Sequence, residues 1–135
     1  MNNQKIPILI FSSMADGHLR KIENSLRPLD PDIKIIHCST MEEFSDKVLE
    51  ILFGLGIILI LIRDNHEMDR VLHLQQKLRD HALILILEES EIQKMQKSLD
   101  LYPRYISYIK EDYTDVFQVL DKMIIKIKRG EKNGG

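Results

Sequence analysis

Residues 56–69 read GIILILIRDNHEMD. The branched apolar residues Ile57 to Ile62 stop abruptly, and Arg63, Asp64, Asn65, His66, Glu67 and Asp69 crowd the next turn. A short continuous apolar run predicts a strand buried on both faces, as in a parallel sheet covered by helices. Beyond the turn the period changes. Met68, Val71, Leu74 and Leu78 recur at steps of three and four, the stripe of a helix with one apolar face. The stretch therefore reads as strand, polar turn and helix, with the reactive side chains gathered in the turn.

The same alternation runs along the chain. The other apolar runs are PILIF (7–11), IKIIHC (33–38), ALILIL (82–87) and YISYI (105–109). The first and fourth runs in chain order match the run at 57–62 in being continuously apolar. The runs at 33–38 and 105–109 are more mixed and suit sheet edges. Between them lie helical stripes: Leu19, Ile22, Leu26 and Leu29; Met41, Phe44, Val48, Leu49 and Leu52; Ile92, Met95 and Leu99; Val116, Leu120, Ile124 and Ile127. Thr40 with Glu43, and Ser90 with Gln93, have capping-box spacing. Asn65 and Asp112 are candidate caps for the third and fifth helices. Pro31, Gly54 to Gly56 and Pro103 punctuate the returns. Five βα units with right-handed crossovers predict an α/β, flavodoxin-like (βα)5 three-layer sandwich. Its five-stranded parallel sheet would have the order 2-1-3-4-5, an order taken by analogy.

Composition narrows the function. The chain has 135 residues, 44% hydrophobic and 30% charged, with a formal net charge of −2. That balance exerts no long-range pull on nucleic acid or an anionic membrane, so neither is expected as a partner. The longest apolar run is about eight residues, against about twenty for a spanning helix. One cysteine, Cys38, excludes an internal disulfide and a cysteine-cluster metal site and fits a cytoplasmic setting. One domain over residues 1–128 and a flexible tail over 129–135 are expected.

In sheets of this kind, ligands sit beyond the carboxyl ends of the strands, near the switch point between strands 1 and 3. The informative residues are therefore Ser12, Ser13, Met14, Ala15 and Asp16; Arg63, Asp64 and Asn65; Glu88, Glu89 and Ser90; and Lys110, Glu111 and Asp112. With five short strands and Lys110 after the last, the chain resembles the receiver domain of two-component response regulators over about residues 6 to 128. The resemblance implies an acidic pair after strand 1, a phosphate-accepting aspartate at the end of strand 3, a hydroxyl after strand 4 and a lysine after strand 5. The carboxylates would hold magnesium, a hard cation that wants oxygen ligands. Here ILIFSSM puts Ser12 and Ser13 where the acidic pair belongs, and two hydroxyls do not replace two negative charges. Aligning Met68–Asp69 with the receiver pattern places the acceptor at Ile62, whereas matching by charge places it at Asp64. Leu87 or Glu88 stands at the hydroxyl position, and Glu111 replaces the proline that commonly comes after the lysine.

The resemblance thus implies a degenerate receiver without magnesium, cofactor or enzymatic chemistry. It would be a signalling module that binds a protein partner through its fourth helix, fifth strand and fifth helix. Asp64 is the phosphoacceptor candidate; Ser12, Ser13, Glu88 and Lys110 form the degenerate pocket. One alternative is a working receiver with Asp64 as acceptor, Lys110 as charge partner and Asp16 or Glu88 at the metal. Another is a small-molecule enzyme on the same fold.

Each sharp reading has a plain one beside it. Asp64 also suits a solvated carboxylate at a helix N-terminus. Lys110 also suits a simple ion pair. His66 and His73 are two turns apart and do not form HExxH, so they read as exposed polar residues. His37 and Cys38 are strand neighbours on opposite faces, unsuited to a nucleophilic pair. DGHLRK (16–21) lacks the Gly-rich loop that cradles phosphate. Tyr105 and Tyr108 flank Ser107, which holds the position where receivers carry an aromatic. With Phe117 they are the candidate interface anchors. The stretch VFQVLDKMIIKIK carries more apolar residues than one narrow stripe needs, which suggests a homodimer through the last strand and helices.

Overall fold

The structure, a computed structural model, describes residues 5–52, 54–88 and 92–130, and for residues 92–95 the backbone alone. The strands are β1 (Ile6–Phe11), β2 (Ile33–Cys38), β3 (Ile57–Ile62), β4 (Ala82–Leu87) and β5 (Tyr105–Tyr108). The helices are α1 (Gly17–Ser25), α2 (Met41–Val48), α3 (Asn65–Leu72), α4 (Gln75–Leu78), α5 (Ile92–Leu99) and α6 (Thr114–Lys128), with a 3-10 turn at Arg27–Leu29. One parallel sheet has the order β2-β1-β3-β4-β5. The expected fold and strand order are those observed. β3 and β4 are buried at every position, whereas β2 and β5, at the edges, are mostly half-buried.

The period-two alternation of the strands divides their apolar side chains between two cores. Ile8, Ile10, Ile57, Leu59, Leu61, Ile84 and Ile86 face α1 and α6, meeting Leu19, Ile22 and Leu26 and then Val116, Leu120 and Ile124. Leu9, Phe11, Ile58, Ile60, Ile62, Leu83, Leu85 and Leu87 face the opposite layer, meeting Phe44, Val48, Met68, Val71 and Leu78. Each such side chain contributes roughly 1.5–3 kcal/mol by leaving water. Among the described residues no helix is long and apolar enough to cross a membrane.

Several local expectations need correction. α2 ends at Val48, and Leu49 and Leu52 lie 69% and 66% exposed instead of extending its stripe. The chain tightens there through i→i−3 bonds from Glu50 to Lys47 and from Ile51 to Val48, and Ile51 enters the core instead. Gly56 makes room for it: a Cβ at that position would stand 2.7 Å from Ile51 Cγ2 and 3.0 Å from Pro7 Cγ. The third stripe is two helices, not one. Leu74 N–H bonds Val71 O three residues back, and α4 restarts from Leu74, which still buries Leu78. The cap of α3 is Asp64, one residue before Asn65. Asp112 lies two residues before the first residue of α6 and accepts from the Thr114 N–H at 2.8 Å. Thr40 caps α2 through the Glu43 N–H at 3.1 Å, while the Glu43 carboxylate reaches the Ser39 N–H at 3.2 Å. The wide stripe of α6 is largely absorbed: Phe117, Val119, Met123 and Ile127 pack partly against the core, leaving Ile125 42% exposed. The Ser90–Gln93 box, Glu89 and residues 131–135 of the tail lie outside the described residues.

Candidate functional site

The loop after β1 and the loop after β3 meet at the carboxyl edge of the sheet, and a guanidinium joins them. Arg63, the first residue past β3, turns back over the edge. Its Nη1 donates to Asp16 Oδ2 at 2.8 Å, and its Nη2 donates to Asp16 Oδ1 at 3.1 Å and to Ser12 Oγ at 3.2 Å. The Arg63 side chain is 11% exposed and that of Asp16 29%. This is the two-pronged geometry in which arginine binds a carboxylate most strongly. Asp16 is also the N-cap of α1, with Oδ1 accepting from the His18 and Leu19 N–H groups at 3.1 and 3.2 Å. Burial by itself would raise the pKa of Asp16. The Arg63 hydrogen bond, the Leu19 N–H and the Arg63 charge outweigh it and hold the carboxyl below its ordinary value.

The candidate residues divide around this pair. Ser12 is fully buried, and its hydroxyl donates to Met14 O at 2.7 Å while accepting from Arg63. Ser13 is exposed and donates to the Glu67 carboxylate, whose other oxygen accepts the Arg63 N–H at 2.9 Å. Ile62 is 2% exposed and packed in the core. Asp64 is exposed, and its Oδ1 accepts the Glu67 N–H at 2.8 Å as the cap of α3. Glu88 is also exposed, its N–H continuing the ladder to Ile62 O at 3.1 Å.

Lys110 is not directed at this cluster. Its Nζ lies 3.0 Å from Asp115 Oδ2, an oxygen that also accepts from Ser107 Oγ at 2.7 Å and Tyr105 OH at 2.8 Å. Burial would raise the pKa of Asp115, but these three donors and the lysine charge hold it below the usual value. The Asp115 hydrogen bond, with burial, correspondingly pushes the Tyr105 phenol up. Tyr105 is thereby tied to α6. Tyr108 packs partly against the opposite core, with its hydroxyl buried and unpartnered among the described residues. A further link closes the edge. Buried Tyr113 accepts the Lys110 N–H at 3.1 Å and lies 3.3 Å from His18 Nδ1, and Lys21 pairs with Glu111.

The arrangement suits an internal ion pair better than a divalent cation. Ser12 and Asp16 already coordinate a fixed positive charge, and Asp64 serves its helix. A second cation a few ångströms from the guanidinium would meet a repulsion on the order of several kcal/mol. Among the described residues no group of three or more His, Cys, Asp or Glu side chains is placed to hold a metal ion. His66 and His73 are both exposed. Cys38 is buried, and burial, with the nearby Glu43 charge, pushes its thiol up to about 11, so it is protonated at neutral pH. His37 Nε2 lies 3.2 Å from Ser12 O.

Asp16 and Arg63 carry the site, and sequence reading gave them little weight. The available signal was an arginine directly after a continuous apolar strand, opposite serines where acids are expected. Asp115 and Tyr113 gave no such signal.

No family model and no curated protein sequence matches the chain. Solved structures do match in fold. A response-regulator receiver domain protein from Methanospirillum hungatei superimposes with a TM-score of 0.68 at 13% identity, over 94% of this chain and 99% of that one. A CheY-like response regulator from Mesorhizobium loti gives 0.67 at 11% identity, over 89% and 99%. A pilus assembly-related protein from Burkholderia pseudomallei gives 0.64 at 13% identity, over 90% of each chain. At these identities the likeness is one of backbone path and topology, and by that measure this chain has the fold of response-regulator receiver domains.

Proposed function

We propose that this chain is a receiver-like signalling module that works without phosphorylation, binding a protein partner rather than catalysing a reaction. One observation carries the reading: the Arg63 guanidinium, held by Asp16 and Ser12, stands where a receiver needs negative oxygens around magnesium. Without that metal, charge developing on a transferred phosphoryl group would lack its main stabiliser. Lys110, the one side chain that matches the receiver pattern, is engaged by Asp115. The module acts in the cytoplasm, where its single thiol stays reduced, and needs no cofactor.

The partner surface is formed by α5, β5 and α6, and the same surface supports self-association, with a homodimer as the smallest unit. Ile125 is 42% exposed on α6, and half-buried Val119 and Met123 line a recess there. Tyr105, Tyr108 and Phe117 stiffen the surface from beneath, being partly buried against the two cores.

The test is to add magnesium with acetyl phosphate or beryllofluoride and monitor amide NMR shifts and intact mass. The expected result is no phosphate adduct and no saturable shift at residues 12–16, 63–67 or 110. An aspartyl phosphate on Asp64, or saturable shifts centred there, would overturn the reading.

A further inference from the structure

Two helices on opposite faces of the sheet carry matched outward surfaces. On α2, Glu42 and Asp46 are exposed or nearly so four residues apart, and Leu49, three further on, stands 69% exposed in helical conformation at the C-cap. Glu42 and Asp46 make no ion pair among the described residues, while Lys47, the one cation on the helix, pairs with Glu50 at 3.6 Å. On α6, Lys122 and Lys126 are likewise four residues apart and both exposed. With Arg104, Val119 and Met123, the two lysines line a recess of about 170 Å3. Among the described residues none of these three cations is in an ion pair. α3 differs, because exposed Asp69 and Arg70 mix both signs.

We propose that one copy docks the acidic, leucine-bearing face of its α2 onto the basic, apolar face of another copy's α6. The proposal rests on the reading of β5 and α6 as an interaction surface and names what covers it. Four residues span about 6 Å along either helix, so Glu42 and Asp46 match the spacing of Lys122 and Lys126. Leu49 then meets Val119 and Met123 in the recess. Opposed charges give register, and the aliphatic residues between them supply burial. Because the two surfaces differ and lie on opposite faces of one molecule, the contact is head to tail and leaves a free surface at each end. Association therefore continues beyond the pair as concentration rises.

The test uses light scattering and sedimentation of the full chain from about 10 µM to about 1 mM. Two charge-reversed variants are compared, E42K/D46K and K122E/K126E, with circular dichroism to verify folding. The wild type is expected to grow with concentration and to lose association as salt is raised. Each variant alone is expected to associate at least about tenfold more weakly. Mixed one to one, the variants should regain association that grows with concentration, because every α2–α6 contact between unlike copies again opposes charges of opposite sign. If E42K/D46K still dimerises like the wild type while K122E/K126E does not, the contact is two-fold through α6. That result overturns the head-to-tail proposal and leaves the proposed interaction surface standing. A wild type that stays monomeric at every concentration overturns both forms of self-association, and the phosphorylation test is unaffected.

Discussion

Arg63 shows how a single side chain changes what a sheet edge can do. Its guanidinium is nearly buried, and its Nε has no partner among the described residues, so its stability depends on Asp16 and Ser12. Removing one member of such a pair leaves the other poorly solvated. Asp16 keeps two backbone N–H donors and some contact with water, which limits the damage. Arg63→Ala is expected to cost about 1–3 kcal/mol of unfolding free energy, read by urea denaturation. The Asp16 pKa should rise in the same variant. Unchanged stability would mean that the pair is not formed in solution. Asp115 shows the same economy of placement, because one of its carboxylate oxygens collects Tyr105, Ser107 and Lys110.

At the scale of the element, Asp64 separates two roles that sequence leaves superimposed. As the N-cap of α3 it needs only an acceptor oxygen, which asparagine also supplies. As a phosphoacceptor it would need the carboxylate itself. Asp64→Asn is therefore expected to change stability by under about 0.5 kcal/mol and to leave partner binding intact, whereas Asp64→Ala costs about 1 kcal/mol. Thermal melts of the two variants check this, and a large loss in the asparagine variant would count against the capping role. The same scale explains where helix boundaries were and were not legible. Thr40 and Glu43 announce α2 because cap and box lie within one turn. The end of α2 and the split between α3 and α4 carry no proline or glycine. They depend on which residue, Ile51 or Leu78, finds space in the core.

For the whole molecule, two of the depressed carboxyls, those partly shielded from water, make stability depend on acid. Asp16 and Asp115 have folded pKa values below the ordinary 3.8. Their contribution is complete above that unfolded value and is lost as pH falls through the folded ones. Stability is expected to be level from this source above about pH 5 and to decline below about pH 4. In Arg63→Ala the share of that decline due to Asp16 should shrink, which acid titration monitored by circular dichroism can measure. Most of the fold could be read from sequence, because burial on both faces leaves β1, β3 and β4 as unbroken apolar runs, while mixed composition marks β2 and β5 as edges. Those signals are local, written within a few consecutive residues. The site was not local. Arg63 and Asp16 are 47 residues apart, and a guanidinium reaching a carboxylate across that separation depends on how β1 and β3 lie side by side. Sequence alone therefore established the alternating α/β architecture and the lack of an acidic pair after β1. Only the tertiary structure decided that Arg63 reaches Asp16 and Ser12 across that edge, because side-chain pairing there is a matter of distance in space, not of order along the chain.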